Sequence, residues 1–499
     1  MDREALLERL KEPFDLLVLG GGATGAGVLW EATLRGLKAA LVEAGDFASG
    51  TSSRSTKLLH GGVRYLELAF KRLDRRQLKL VVDALHERKV VMDLAPHLAK
   101  PLTLVTPLFR PLEIPYYTLG LKLYDLLAGK RRLAPSRYLP PEEVARLFPD
   151  LPKTLGGVAY QDGQFADFRL NLALVLSALE RGAVALNHAE ATALLLEGGR
   201  VRGAVVRDGL SGKEVEVRAK AVVNATGPLA DRVRRLLDPH LPPLLTASSG
   251  VHLVLDYPLE AGLLVPKTRD GRVLFLLPYR GMALLGTTDL PAEPASCPLP
   301  REEEVAYLLE EIRPYLGDVS GRVRAVWSGL RPLVGKGETK LLVRDHYIEE
   351  RRGLYTLVGG KWTTFRLMAL DLVERLAKDL GLALPPSKKA TPRPSSGRGR
   401  GPSFPCPRRR RGGSGRPTAP WPPRSWPWGI GPSSPGFPTW REKWSGRCGG
   451  SLPGSPWTSW RGGWASPSWT KGKPGRPCPR WWSSWRAFSA GTKRSGPSA

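Results

Sequence analysis

Short, unbroken apolar runs mark the first part of the chain. Phe14-Asp15-Leu16-Leu17-Val18-Leu19 is one of them, and a strand of a parallel sheet covered on both faces needs such a run because neither side meets water. Residues 26–35 continue as helix and residues 37–42 as a second strand, so the chain opens on a βαβ pattern. Residues 219–224 and 354–358 read as further strands of this kind. Residues 251–255 and 273–277 alternate or cluster their apolar side chains as an antiparallel sheet does. Residues 143–148 and 302–315 read as helices, the second with Glu at its start and Arg313 near its end, charges that complement the helix dipole.

Between the first strand and the helix lies Gly20-Gly21-Gly22-Ala23-Thr24-Gly25. Gly20 permits a tight turn, Gly22 brings the backbone close to a pyrophosphate and Gly25 lets helix and strand pack closely, with the phosphates on the free N–H groups of the helix N-terminus around Ala23 and Thr24. The second strand ends on Glu43, 18 residues after Gly25. A carboxylate there accepts the ribose hydroxyls of an adenosine half and repels a 2′-phosphate. This fingerprint alone does not separate FAD from NAD. A second small-residue turn at a strand end, Asn224-Ala225-Thr226-Gly227-Pro228, points with the first toward FAD.

Three further clusters sit beside apolar strands. They are Gly50-Thr51-Ser52-Ser53-Arg54-Ser55-Thr56-Lys57-Leu58-Leu59-His60-Gly61-Gly62-Val63-Arg64-Tyr65-Leu66-Glu67, then Ser328-Gly329-Leu330-Arg331-Pro332-Leu333, then Val358-Gly359-Gly360-Lys361-Trp362-Thr363-Thr364-Phe365-Arg366. Hydride transfer to a flavin needs a held donor carbon, an acceptor for the hydroxyl proton and cations for an anionic handle on the substrate. The clusters supply His60 as candidate base and Arg331, Arg64 and Lys361 as candidate anion clamps, Arg for bidentate recognition and Lys as a point charge.

Together with Gly286-Thr287-Thr288-Asp289, these motifs stand in an order that resembles the FAD-dependent glycerol-3-phosphate dehydrogenases, over about residues 14–385. The resemblance implies oxidation of sn-glycerol 3-phosphate at C2 to dihydroxyacetone phosphate, with the hydride passing to N5 of FAD and the electrons to a membrane quinone. Carried onto this chain, it places Arg331, Lys361, Arg64 and Tyr65 around the substrate, with Arg331 and His60 nearest the reacting hydroxyl. An Arg with a pKa above about 12 is a poor base, so chemistry favours His60. Cofactor contacts are expected from Gly20, Gly22, Ala23, Thr24, Gly25, Glu43, Thr51, Ser52, Ser53, Lys57, Leu58, His60, Gly62, Ala225, Gly227, Gly360, Lys361, Thr363 and Thr364. A homodimer and peripheral contact at the inner face of the cell membrane go with the same resemblance. The rival activities are a glycerol-3-phosphate oxidase that uses O₂ and an amine or amino-acid oxidase of the same superfamily.

The implied fold class is α/β. A Rossmann-like, doubly wound FAD domain of the glycine oxidase/D-amino-acid oxidase type is expected from residues 12–75, 155–235 and 325–385, and an antiparallel substrate sheet from 76–154 and 236–324. Together they form an oxidoreductase body over residues 12–385.

Composition changes this picture beyond residue 390. Of 499 residues, 75 are Lys or Arg and 47 Asp or Glu, a formal charge of +28. Residues 391–499 hold 20 of the basic residues against one acid, Glu442, so most of the excess lies there. That stretch also holds 12 of the 15 tryptophans but only Leu452 and Ile430 among aliphatic Leu, Ile and Val. So little aliphatic surface predicts low-complexity, disordered chain. Interleaved Arg and Trp also suit single-stranded nucleic acid, as a flavin-dependent RNA-binding protein would use them. Nucleic acid is nevertheless not an expected partner, because the charge lies where a folded domain is least expected. Pairs such as Trp440-Arg441, Trp460-Arg461 and Trp421-Pro422 are what Leu-Glu and Leu-Ala codons of a GC-rich gene give when read one base late. The tail therefore reads as a frameshifted replacement for the helical C-terminal domain of the resembled family, and an intact reading frame across codons 385–400 would sink that idea.

Before the tail the only cysteine is Cys297, which leaves no disulfide framework or cysteine metal site there and suits a reducing compartment. No apolar run reaches the roughly 18–20 residues of a membrane span, and residues 1–9 are charged, unlike a signal peptide. A cytoplasmic location is expected.

Overall fold

Phe14–Leu19 forms a strand near the middle of an eight-stranded sheet, where it pairs in parallel with Ala39–Val42 on one side and with the last residues of Glu214–Asn224 on the other. Leu354–Gly359 and Val184–Leu186 extend the parallel set, and His346–Arg351 lies antiparallel at one edge. Alternate side chains of the first strand serve opposite cores. Leu16 and Val18 pack with Val28 and Leu29 of helix Ala23–Leu34, Val175 of helix Asp167–Leu179 and Leu372 of helix Phe365–Asp379. Leu17 and Leu19 pack with Leu10 of helix Arg3–Leu10 and with Val206 and Val217. Both faces are thus dry, which is why the run is unbroken; each such side chain contributes roughly 1.5–3 kcal/mol.

The computed structural model describes residues 2–63, 74–335 and 345–385. Arg64, Tyr65 and the tail 391–499, all singled out in the sequence, lie outside the described residues.

Glu214–Asn224 is longer than the apolar stretch that announces it. Its first half alternates exposed and buried positions and pairs antiparallel with Arg200–Asp208, while its second half is buried on both faces beside the first strand.

A second, ten-stranded sheet is antiparallel apart from Gly262–Val265 running beside Ala99–Pro107. Helices Arg75–Leu94 and Glu113–Ala128 supply Val81, Leu85, Leu121 and Tyr124 to a core that also takes Leu104, Val254 and Leu284 from this sheet. Three segments that the sequence division places in the dinucleotide half belong to this sheet, the short strand Leu58–Leu59, which pairs with Gly157–Phe165, being the first. Gly157–Phe165 pairs with Ala99–Pro107, and Val323–Val334 runs along Leu245–Leu255. Non-local pairing decides this, and local composition carries no record of it. The expected helices appear as Pro141–Leu147 and Glu302–Leu316. No helix among the described residues is long and apolar enough to cross a membrane.

Candidate active site

The turn after Leu19 can be built only from residues without a side chain at two places. Gly20 has φ +107°, and a Cβ there would lie 2.7 Å from the carbonyl oxygen of Ala225. A Cβ on Gly25 would lie 1.9 Å from the carbonyl oxygen of Gly20. The helix that follows has Gly22 as its N-cap and no acidic side chain in its first turn, and although its Ala23 N–H donates to Ser52 Oγ at 2.8 Å, the positive end of its dipole suits an anion. Glu43 closes the other side. Its Oε2 accepts from the N–H of Gly21 at 2.6 Å and its Oε1 from the N–H of Gly45 at 2.7 Å. Burial raises its pKa, and those two backbone bonds oppose the rise. Each carboxylate oxygen keeps a lone pair for a ribose hydroxyl.

From this turn a cavity of about 660 Å³ runs to the second sheet, within the usual range for small-molecule sites. It brings together Gly20, Gly22, Ala23, Thr24, Glu43, Thr51, Ser52, Leu58, His60, Ala225, Gly227, Arg331, Gly360, Lys361 and Thr363. Residues some 300 positions apart are stitched around it. Thr51 Oγ1 donates to the carbonyl of Leu330 at 2.7 Å, Trp362 Nε1 to the carbonyl of Ser52 at 2.8 Å, and the His60 N–H to Thr363 Oγ1 at 3.3 Å. The open glycine turn, a helix N-terminus without an acidic side chain and the Glu43 carboxylate fit a dinucleotide.

Five residues expected to touch the cofactor do not line the cavity: Gly25, Ser53, Lys57, Gly62 and Thr364. Gly25 acts one layer back, through the contact with Gly20. The hydroxyls of Ser53 and Thr364 donate to the carbonyls of Gly50 and Lys361. Lys57 is buried, and its ammonium is engaged by Asp167 at 2.7 Å and by the carbonyl of Ser53.

Arg331 also lines the cavity, from the strand Val323–Val334, where it stands opposite Ser248. Its Nη1 donates to the carbonyl of Ser249 at 3.0 Å and its Nη2 to Thr287 Oγ1 at 3.0 Å. Asp289 lies 3.7 Å away. The guanidinium lies over Gly250, where a Cβ would come within 2.5 Å of Nη2.

Thr56 and His252 also line this space, and neither was assigned a role from the sequence. His252 is 2% exposed, stacks on Trp327 with ring centroids 5.9 Å apart, and meets Thr56 Oγ1 through Nε2 at 3.0 Å. Burial, reinforced by the positive charges of Arg331 and Lys57, holds its pKa well below the ordinary histidine value of 6.5. A histidine interrupting the apolar run 251–255 was the available signal. A depressed folded-state pKa contributes stability that is complete above the unfolded value and is lost as pH falls below it. The melting temperature is therefore expected to fall from neutral to acid pH, and less steeply in His252→Gln. Melting curves across that range check this, and an equal slope in the variant would contradict it. Among the described residues no group of three or more His, Cys, Asp or Glu is placed to hold a metal ion.

Residues 15–375 match the protein family described as DAO, FAD dependent oxidoreductase. The chain is 47% identical over 386 residues to the probable mitochondrial glycerol-3-phosphate dehydrogenase of Caenorhabditis elegans, which covers 74% of this chain and 54% of that one. The chain thus spans little more than half the length of such relatives. The crystal structure of glycerol-3-phosphate dehydrogenase from Bacillus halodurans complexed with FAD matches with a TM-score of 0.62 and 31% identity, over 77% of this chain and 69% of that one. Glycine oxidase from Geobacillus kaustophilus matches in fold, with a TM-score of 0.56 and 22% identity over 73% of this chain and 95% of that one.

Proposed function

Because the chain belongs to the FAD-dependent oxidoreductase family, we propose that it oxidises sn-glycerol 3-phosphate at C2 to dihydroxyacetone phosphate. The observation that carries this reading is the meeting of Arg331, Lys361 and His60 in the one cavity that also holds the glycine turn. Bound FAD supplies the two-electron acceptor for the hydride that leaves C2.

The chain's own residues do the rest. The turn at residues 20–25 and the N-terminus of Ala23–Leu34 hold the pyrophosphate, and Glu43 holds the adenosine ribose. Arg331 and Lys361 fix the substrate phosphate, joined by Arg64 and Tyr65. Orienting the substrate in this way removes entropy from the barrier before the reaction begins. His60 takes the proton of the C2 hydroxyl, since Arg331 stays a cation. His60→Gln is expected to slow turnover by about 10²–10⁴-fold, the usual contribution of a general base. Near-normal turnover in His60→Gln with a loss of that size in His252→Gln would move the role to His252.

Passage of the electrons to a membrane quinone, peripheral contact with the inner face of the cell membrane, and a homodimer belong to the same proposal. What supports the membrane contact is the helix Glu113–Ala128. It leaves Tyr116, Leu119 and Leu126 exposed, with Leu112 exposed at its N-cap, and Lys130, Arg131 and Arg132 follow it, an apolar face with cations beside it that suits anionic lipid. The test is turnover of glycerol 3-phosphate by the FAD-loaded full chain on phosphatidylglycerol vesicles that carry a quinone. Dihydroxyacetone phosphate and quinol are expected. Peroxide formed in air in place of quinol would make the protein an oxidase, and turnover of glycine or sarcosine in place of glycerol 3-phosphate would sink the substrate assignment.

A further inference from the structure

Glu304, the third residue of helix Glu302–Leu316, has a side chain that is 1% exposed, and no step described above uses it. An ionised carboxylate leaves water only where donors replace its hydration. Some of its donors belong to the helix end. The backbone N and Nε of Arg301 both lie 3.5 Å from Oε2, so Glu304 makes the half of a capping box that the third helical residue supplies.

The stronger donors come from elsewhere. Thr288 Oγ1 donates to Glu304 Oε1 at 2.6 Å, and Ser249 Oγ lies 2.9 Å from Oε1 and 3.1 Å from Oε2. Ser249 is in the strand Leu245–Leu255, and Thr288 follows the strand Met282–Gly286. Both adjoin the groups that hold Arg331. The carbonyl of Ser249 itself accepts from Nη1, and Thr287, one residue before Thr288, accepts from Nη2. Two more bonds stiffen the arrangement. The N–H of Val251 donates to Thr288 Oγ1 at 2.8 Å, and Ser249 Oγ meets Ser328 Oγ at 3.0 Å, three residues before Arg331 in its own strand. One carboxylate therefore ties together the two segments that supply the acceptors of the guanidinium.

We infer that Glu304 is a positioning residue for Arg331, fixing through Ser249 and Thr288 the two acceptors that aim the guanidinium at an anionic group of the ligand. The inference rests on Arg331 acting as an anion clamp, as proposed above. Glu304→Gln keeps the length of the side chain, and the comparison of the two Arg331 backgrounds below separates positioning from capping, because loss of the helix cap alone would weaken binding equally in both. The Gln amide has one acceptor oxygen where the carboxylate has two, so it cannot satisfy both the hydroxyls and the donors of Arg301.

The test is calorimetric titration of inorganic phosphate into the FAD-loaded full chain, in four forms: unmodified, Glu304→Gln, Arg331→Lys and the double variant. Displacements of about 1 Å cost up to about 100-fold in oriented sites, so a loss of about 10-fold in phosphate affinity is expected from Glu304→Gln alone. In the Arg331→Lys background the same change is expected to cost nothing further, because it acts only through that guanidinium. An equal loss in both backgrounds, or none in the unmodified one, overturns the inference. Ser249→Ala carries the test in the same way if Glu304→Gln fails to fold. If the unmodified protein binds no phosphate, crystal structures decide, and an Arg331 guanidinium in the same place in Glu304→Gln overturns the inference. Arg331-dependent phosphate binding by a protein that glycerol 3-phosphate does not reduce would contradict the proposed reaction and leave the role of Glu304 standing.

Discussion

Gly25→Ala is expected to give a chain that retains no FAD. The added methyl would sit 1.9 Å from the carbonyl oxygen of Gly20 and 3.0 Å from its carbonyl carbon, and both are backbone atoms of the turn itself. No rotamer change relieves a clash with backbone, so the helix Ala23–Leu34 must move off the strand Phe14–Leu19. Val28 and Leu29 then lose their fit against Leu16 and Val18. Overpacking of this sort costs roughly 1–3 kcal/mol, occasionally more. The larger effect is on the cofactor, because the N–H groups at the start of the helix leave the place where a pyrophosphate would meet them. Flavin content per chain after gel filtration and a thermal melt measure both parts. Full FAD content with an unchanged melt would contradict the close-approach account of this glycine.

The second large effect is expected from Lys57→Met. Lys57 has φ +62°, a conformation unusual for a residue with a side chain, and it carries its ammonium into the interior. There it pairs with Asp167, which is fully buried and also accepts from Ser55 Oγ at 2.7 Å. Burial lowers the pKa of Lys57, and the charge of Asp167 opposes that shift. Removing the lysine leaves a buried carboxylate without its cation, a loss of roughly 3–5 kcal/mol. Replacing both partners, Lys57→Met with Asp167→Leu, is expected to restore most of that stability, since a well-packed apolar pair has no charge to desolvate. Denaturant midpoints of the two variants test the pair. A single variant within about 0.5 kcal/mol of the unmodified protein, as for an ordinary surface change, would contradict it.

Lys57 and His252 together show what the sequence can and cannot disclose. The turn at residues 20–25 was legible because its requirements are local: a positive φ at Gly20 and a contact between residues five positions apart. The first strand was legible because burial on both faces demands an unbroken apolar run. Lys57 lies in a polar cluster and so looked like a cofactor contact. The direction of its side chain is set by its own φ and by Asp167, 110 residues away, and neither is written in the cluster. His252 looked like one polar interruption in a strand. Its importance comes from Thr56, Trp327 and Arg331, which only the folded sheet brings near. The strand Val323–Val334 shows the same limit. Its motif marks a site, but its pairing with Leu245–Leu255 places it in the second sheet, from which it lines the same cavity as the glycine turn. Glu304 was legible as a helix start, and its bonds to Ser249 and Thr288 were not.

The cavity lined by the glycine turn and Arg331 is proposed to hold FAD and to oxidise glycerol 3-phosphate. Anaerobic addition of glycerol 3-phosphate to the FAD-loaded protein tests it most directly, with the visible absorbance of the oxidised flavin as the signal. Loss of that absorbance, with one dihydroxyacetone phosphate formed for each flavin reduced, is the result expected. An unchanged spectrum in a sample whose flavin dithionite still bleaches would contradict it.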